Sequence, residues 1–241
     1  MFAPLRPPIR AITLDLDDTL WPIWPTIQRA EAALHAWLQA HAPATAALWG
    51  PQRLRALRNE VERERPDLAH DLSAFRREAI RRALAEAGDP ETLVAPAFEV
   101  FFAERQKVDL FDDALPALAW LSARFPLVAL TNGNADLNRV GLAQYFTGAV
   151  SAKDFGVAKP HPSIFLEACR VAGHPPEQVL HVGDDWALDV EGALSANMQV
   201  AWLNRQNAQG LPEKKPVRSV GTLHELIDLL LSTNFMETSA S

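Results

Sequence analysis

Ile12-Thr13-Leu14-Asp15-Leu16-Asp17-Asp18-Thr19-Leu20 is the stretch on which the reading of this chain turns. The apolar run from Ala11 to Leu16 ends in three carboxylates and a threonine. Acids placed that close repel one another unless a cation offsets them. The apolar run predicts a strand buried on both faces, as in a parallel sheet. Open α/β sheets build their active sites at the C-terminal ends of such strands, where these acids fall.

Working outward, the chain has 241 residues, enough for one sizeable α/β domain and a smaller second one. A net charge of −7 argues against a dedicated nucleic-acid binder. One cysteine, Cys169, excludes an internal disulfide and fits a reducing compartment. It lies in a helical pattern and reads as a small core residue. No apolar run reaches the roughly 20 residues that span a bilayer. Met1 to Arg10 carries three prolines and no hydrophobic segment, unlike a signal peptide. The expectation is a soluble cytoplasmic protein.

From Thr26 to about Leu121 the sequence shows no strand pattern. Four apolar stripes at helical spacing follow one another instead. They run through Ile27, Ala30, Leu34, Trp37 and Leu38, then Leu54, Leu57 and Val61, then Leu72 to Leu84, then Leu93 to Phe102. Gly88 suits a C-cap, and Asp89-Pro90 suits the start of the fourth helix. Residues 21–108 therefore read as an inserted helical domain, and 1–20 with 109–241 as the α/β core. After a helix from Asp113 to Ala123, strands are predicted at Leu127–Leu130, Ala149–Val150, Val179–Val182 and Val200–Leu203. Helices are predicted at Asp136–Tyr145, Pro162–Ala172 and Ala187–Ala196. This alternation implies a doubly wound parallel sheet. Arg205 to Arg218 reads as a loop, Leu223 to Leu231 as a last helix, and Thr233 to Ser241 as a disordered tail.

Three further stretches carry chemistry. Thr131-Asn132-Gly133-Asn134 closes the second strand with groups that can donate to a phosphate, though the same residues are ordinary turn formers. Lys159, in Ala158-Lys159-Pro160, precedes a helix; a lone lysine is usually solvated surface. His181-Val182-Gly183-Asp184-Asp185, with Asp189 beyond, again clusters acids at a strand end. Helix capping explains one of these acids, and a hard divalent cation explains all three.

Asp15-x-Asp17-x-Thr19-Leu20, Thr131-Asn132, Lys159-Pro160 and Gly183-Asp184-Asp185 together resemble the four motifs of the haloacid dehalogenase-like hydrolases, in that family's order. The insertion resembles its C1-type cap. The resemblance implies a Mg²⁺-dependent phosphatase in which Asp15 is the nucleophile and Asp17 the general acid and base. It implies Mg²⁺ held by Asp15, the Asp17 backbone carbonyl and Asp184, with Asp185 and Asp189 orienting its waters. Thr131, the Asn132 backbone and Lys159 would neutralise the phosphoryl oxygens. Dehalogenases of the family lack the acid that Asp17 supplies, so its presence implies phosphoryl transfer.

The pattern is also similar to the bacterial phosphatases acting on flavin mononucleotide and on 5-amino-6-(5-phosphoribitylamino)uracil. Leu127 to Asn134, His181 to Asp185, and His70-Asp71 carry that likeness; Pro22 departs from it. Trp21 and Trp24 could stack on a flat ring, or belong to the core of the cap junction. His70 and Arg76 are candidate substrate contacts among the eleven arginines between Arg29 and Arg105, with capping and packing as the other reading. The implied partner is a small phosphorylated metabolite, with no nucleic acid and no membrane, and the protein is expected to be a monomer or weak dimer. A phosphomutase of the same fold and a non-catalytic scaffold stand as alternatives.

Overall fold

The computed structural model describes residues 8–206 and 217–238, with side chains as far as 232. Most of the N-terminal stretch and most of the 205–218 loop therefore lie outside the described residues. In chain order the elements are β1 (Ala11–Leu14), α1 (Ile23–His41), α2 (Pro43–Leu48), α3 (Pro51–Glu64), α4 (Leu72–Ala87), α5 (Val94–Arg105), α6 (Ala114–Ser122), β2 (Leu127–Thr131), α7 (Leu137–Val140), β3 (Gly148–Ser151), α8 (Ala152–Phe155), α9 (Pro162–Ala172), β4 (Val179–Gly183), α10 (Gly192–Ser195), β5 (Gln199–Leu203), β6 (Arg218–Val220) and α11 (Leu223–Thr238). The chain divides into two units. One comprises Met1–Trp21, Leu110–Thr131 and Leu142–Ser241; the other comprises Pro22–Asp109 and Asn132–Gly141. Among the described residues no helix is long and apolar enough to cross a membrane.

The first unit is built on a six-stranded sheet, every pairing parallel, in the order β3-β2-β1-β4-β5-β6. Strands β1, β2 and β4 are buried at every residue, which explains their continuous apolar runs. From β1 the strand order proceeds in opposite directions, toward β2 and toward β4. This leaves a crevice at the C-terminal ends of the three strands. One face of the sheet packs on Ile164, Phe165, Ala168 and Cys169 of α9. Burial pushes the Cys169 thiol up to about 12, so it behaves as an inert core residue.

Several elements differ from the sequence expectation for local reasons. β1 ends at Leu14 instead of Leu16, because the chain then turns out of the sheet, with Asp18 at φ 59°. The helix expected over 136–145 stops at Gly141, whose φ of +83° ends α7 after one turn. A π-helical turn, Trp186–Glu191, precedes α10. β6 starts at Arg218, the last residue of the expected 205–218 loop; it is three residues long and carries little apolar signal. α11 continues to Thr238, into the expected disordered tail, and residues 239–241 lie outside the described residues.

The helical unit packs α1 against α5 and α3 against α4, around Ala30, Leu34, Leu57, Phe75, Ile80, Leu84, Phe98 and Phe101. Asp71 caps α4 by accepting from the Ser73 and Ala74 N–H groups, and Gly88 closes it in a left-handed conformation. Asp89 does not cap the next helix, as the sequence suggested. Its carboxylate accepts from the backbone N–H and hydroxyl of Thr45, and α5 starts only at Val94. The 132–141 stretch is bonded into this unit through Asn134. That side chain accepts from Arg105 Nε at 2.7 Å and donates to Ser73 Oγ at 3.1 Å.

Candidate active site

At the end of β1 the Asp15 N–H still donates to the Val182 carbonyl of β4, at 2.9 Å. That bond places the Asp15 side chain at the mouth of the crevice, almost fully buried. The chain then closes a tight turn. Leu20 N–H reaches the Leu16 carbonyl, and Asp18 N–H reaches the Trp21 carbonyl, both at 2.8 Å. Inside the turn the Trp21 indole N–H donates to Asp17 Oδ1 at 2.8 Å. The Thr19 hydroxyl donates to Asp184 Oδ1 at 3.1 Å, joining the two acidic strand ends.

Strand β4 delivers the other half. Trp202 Nε1–H donates to the Asp184 carbonyl at 2.7 Å and fixes that strand end. Asp185 accepts from the Leu188 N–H, capping the π-helical turn, and its own N–H donates to Asp189 Oδ2 at 3.0 Å. Gly183 has to be glycine here, since a Cβ would lie 2.3 Å from Asp189 Cγ. Lys159, buried, donates to Asp15 Oδ1 and to Asp189 Oδ1, each at 2.6 Å. His181, paired in register with Thr13 of β1, lies 3.1 Å from Asp189 Oδ1 through Nε2 and 2.8 Å from Thr13 Oγ1 through Nδ1. An ionised Asp189 can only accept, so Nε2 carries the proton and Nδ1 accepts from the threonine hydroxyl. Burial lowers the His181 pKa, in keeping with that neutral tautomer.

Oxygens of Asp15, Asp184 and Asp189 all lie within 4.8 Å of one another. Burial pushes the Asp184 carboxyl up to about 7, and repulsion from Asp189 and Asp18 adds to the shift. Asp15 is raised by burial in spite of Lys159, with Asp189 and Asp184 adding repulsion. Burial alone would raise Asp189 too, but Lys159 and His181 hold it below the carboxylate range. Burial disfavours the Lys159 ammonium, yet Asp15 and Asp189 together hold its pKa above that of an ordinary lysine. One lysine thus faces three acids, two of which resist ionisation. A hard divalent cation with oxygen ligands fits such a set. Asp189 already accepts from Lys159, His181 and the Asp185 N–H, so Asp15 and Asp184 are the carboxylates that could hold such an ion.

Comparison with known proteins bears on this arrangement. The family described as haloacid dehalogenase-like hydrolase matches residues 9–197, a span that contains every residue of the cluster. The chain belongs to this family. Among the similar proteins is the 5-amino-6-(5-phospho-D-ribitylamino)uracil phosphatase YigB of Escherichia coli (strain K12). It is 34% identical over 203 residues, covering 83% of this chain and 85% of that one. The phosphoserine phosphatase of Thermus thermophilus is 35% identical over 158 residues, 63% of this chain and 64% of that protein. Among solved structures, the 2-haloacid dehalogenase from Pseudomonas syringae pv. Tomato DC3000 superposes with a TM-score of 0.85. It is 38% identical and covers 93% of this chain and 99% of that one.

The structure of this haloacid dehalogenase-like hydrolase brings Asp15, Lys159, Asp184, Asp185 and Asp189 together in one unit. Thr131 lies buried at the C-terminal end of β2 in the same unit, and Asn132 begins the stretch that groups with the helices. Two expected substrate contacts are corrected. Trp21 is no stacking platform: its ring is fully buried and its one polar atom is engaged by Asp17. Arg76 is buried inside the helical unit, paired with Glu31 and lying over the Phe101 ring, so it presents no exposed cation. His70 sits half-buried in the turn before α4. Trp24 is exposed, with the Arg55 guanidinium over its ring at 4.4 Å. Sequence reasoning gave no role to Thr13 or to the His181 side chain. It also missed Arg205, which donates to the Thr19 carbonyl and to both oxygens of Asp113. His181 stood inside a quoted motif; the pairing of β1 with β4 is what gives it a role.

Proposed function

We propose that the protein is a Mg²⁺-dependent phosphomonoesterase acting through an aspartyl-phosphate on Asp15. The observation that carries the reading is the Asp15 carboxylate, buried at a strand end 2.6 Å from Lys159 and among surplus acids. Such a carboxylate is a positioned nucleophile beside a fixed cation. Asp15 and Asp184, with the Asp17 backbone carbonyl, would hold the ion. When bound, Mg²⁺ neutralises the cluster and the charge of the phosphoryl oxygens.

An Asp15 oxygen attacks phosphorus, and the bond from phosphorus to the leaving oxygen breaks. Asp17 gives its proton to that oxygen. Water then attacks the phosphorus of the aspartyl-phosphate and loses a proton to Asp17, and the Asp15 carboxylate is released. Lys159, Thr131 and the Asn132 backbone neutralise the phosphoryl oxygens as the charge redistributes. Asp189, itself held by three donors, fixes Lys159. Asp185 would orient water at the bound ion.

For the substrate, a small phosphorylated metabolite is proposed, with 5-amino-6-(5-phosphoribitylamino)uracil or flavin mononucleotide foremost. The likeness to the Escherichia coli phosphatase over most of both chains supports that choice. The net charge of −7 and the single cysteine support a cytoplasmic protein that binds neither nucleic acid nor membrane, and a monomer or weak dimer is proposed beside that.

Halide displacement is the second reading, and the similar structure named as a 2-haloacid dehalogenase favours it. That reaction needs no proton donor, so it leaves Asp17 and its hydrogen bond without work. The deciding experiment measures phosphate release from flavin mononucleotide, the ribitylaminouracil phosphate, sugar phosphates, nucleotides and phosphoserine, with Mg²⁺ and with EDTA. Chloride release from 2-chloropropionate is measured beside it. Mg²⁺-dependent phosphate release is expected. Release spread evenly over the panel would keep the phosphatase and remove the flavin-pathway substrate. Chloride release alone would replace the proposal with the second reading, and neither product would favour a mutase or scaffold.

A further inference from the structure

A line of buried hydrogen bonds runs back from the nucleophile into the sheet. The phosphoryl-transfer steps engage its outer end, Lys159 and Asp189, and leave its inner end without a role. Thr13 stands two residues before Asp15 at the end of β1, and His181 two residues before Gly183 on β4, so each pair shares a face of the sheet. The register sets Thr13 beside His181, and both are fully buried. The Thr13 hydroxyl donates to His181 Nδ1 at 2.8 Å, Nε2 donates to Asp189 Oδ1 at 3.1 Å, and the same oxygen accepts from Lys159 Nζ at 2.6 Å. Packing holds the line in place. The Phe165 and His181 rings meet nearly at right angles, with centroids 5.1 Å apart. Gly192 admits the phenyl ring, since a Cβ there would lie 2.5 Å from Phe165 Cε2. A neutral imidazole gives Asp189 a donor without adding charge beside the Lys159 ammonium.

The partners of Lys159 change during turnover. In the free enzyme its ammonium lies between Asp15 and Asp189. Once Asp15 is an acyl phosphate its carboxyl group carries no charge, while Asp189 keeps its charge and continues to hold the ammonium. We infer that Thr13 and His181 are positioning residues for Lys159: the hydroxyl fixes the Nε2–H tautomer, that N–H aims Asp189 Oδ1, and Asp189 keeps the ammonium on the phosphoryl oxygens while water attacks the aspartyl-phosphate. The inference rests on the phosphatase reading and deepens it. The line itself moves no proton. The bond from phosphorus to Asp15 breaks as the water oxygen bonds to phosphorus, and the proton of that water goes to Asp17.

The test separates the two half-reactions with p-nitrophenyl phosphate and Mg²⁺. His181→Leu fills the space and removes both ring nitrogens, whereas His181→Gln returns an amide N–H at the reach of Nε2. In His181→Leu, kcat is expected to fall about 10- to 100-fold. KM should fall with it and leave kcat/KM within about threefold of wild type, because formation of the intermediate still has Asp15 to hold Lys159. A pre-steady-state burst of nitrophenol should precede the slow phase. His181→Gln should recover kcat to within about threefold of wild type. A merely structural role would lower kcat and kcat/KM together, give no burst and gain nothing from glutamine; that outcome would overturn the inference. Should His181→Leu fail to fold, Thr13→Val keeps the shape at the other end of the line. Nitrogen-15 NMR of the imidazole then reads the tautomer, with Nε2–H expected in wild type and a mixture with Nδ1–H in Thr13→Val, beside a lowered kcat and a retained kcat/KM. A wild-type ring protonated at Nδ1 alone, or a Thr13→Val enzyme that matches wild type in both readouts, would overturn the inference by itself. A wild type that releases no phosphate would overturn the phosphatase reading, and the inference with it.

Discussion

Two clusters of buried charge lie in the α/β unit, and they are built on opposite principles. Around Arg205 one guanidinium meets one carboxylate. Arg205 reaches both oxygens of Asp113, and it also donates to the Thr19 carbonyl. Asp113 additionally accepts from the Leu223 N–H. Burial alone would raise its pKa, but Arg205 and that backbone donor bring it below its ordinary value. Around Lys159 one ammonium meets Asp15 and Asp189, with Asp184 close by, and Asp15 and Asp184 are pushed up. The first cluster is complete as it stands and ties elements together. The second sets three carboxylates around one ammonium among the described residues. The helical unit holds a cluster of the other sign, where Glu31 is shared between buried Arg76 and Arg55 at the rim, two guanidiniums to one carboxylate. In the α/β unit the balanced pair ties the scaffold together, and the surplus acids are the place proposed to receive a cation and a substrate.

Substitutions with opposite signs would break or sharpen this contrast. Asp15→Asn should lower kcat by about 10⁴-fold or more, since the nucleophile is gone. It should also raise the melting temperature of the Mg²⁺-free protein, because one repelling carboxylate has been removed. Thermal unfolding beside steady-state kinetics checks both halves, and a destabilised Asp15→Asn would mean that the cluster is not strained. Asp113→Ala should do the reverse. Breaking its buried pair is expected to destabilise the fold by about 3–5 kcal/mol, while kcat at a permissive temperature stays within about threefold of wild type. A denaturant titration in which Asp113→Ala matched wild type would remove the distinction from that side.

A smaller effect is expected from pH. The Asp184 carboxyl rises from an ordinary 3.8 to about 7 on folding. Between those values the folded chain keeps a proton that the unfolded chain has released. The stability of the Mg²⁺-free protein should therefore fall as pH rises from about 4 to about 7, by on the order of 4 kcal/mol. Mg²⁺ competes with that proton, so its stabilising effect should grow over the same window. Melting curves with and without the ion, at several pH values, check the sign. Asp184→Asn should flatten both dependences, and a slope that survives the substitution would belong to another group.

The contrast also shows where sequence reading stops. The parallel sheet was legible because strands buried on both faces are continuous apolar runs; Asp15, Asp17 and Asp184 stood in short motifs at their ends, and Lys159 in one just before a helix. The four helices were legible from their stripes. Strand order is a different matter. Thr13 and His181 meet because β1 and β4 are neighbours in register, and nothing local to either strand announces that. Arg205 was hidden for the same reason, as its partners Thr19 and Asp113 are distant in sequence. β6 lacks an apolar run, and its place follows from the edge of the sheet. Gly141 was legible in principle: a glycine inside a helical pattern is a C-cap signal, and the structure uses it as one. Trp21 and Arg76 show the opposite failure. An aromatic residue and a cation near a presumed site suggested ligand contacts, while burial and partners gave both an internal role.

The surplus-acid cluster is proposed to work as a nucleophilic site through Asp15. The most direct measurement is mass spectrometry of enzyme acid-quenched during turnover of a phosphomonoester with Mg²⁺. One added phosphoryl group is expected on the peptide containing Asp15, absent with EDTA and absent in Asp15→Asn. Steady turnover with no phosphoryl group on that peptide, or with one on a different residue, would contradict it.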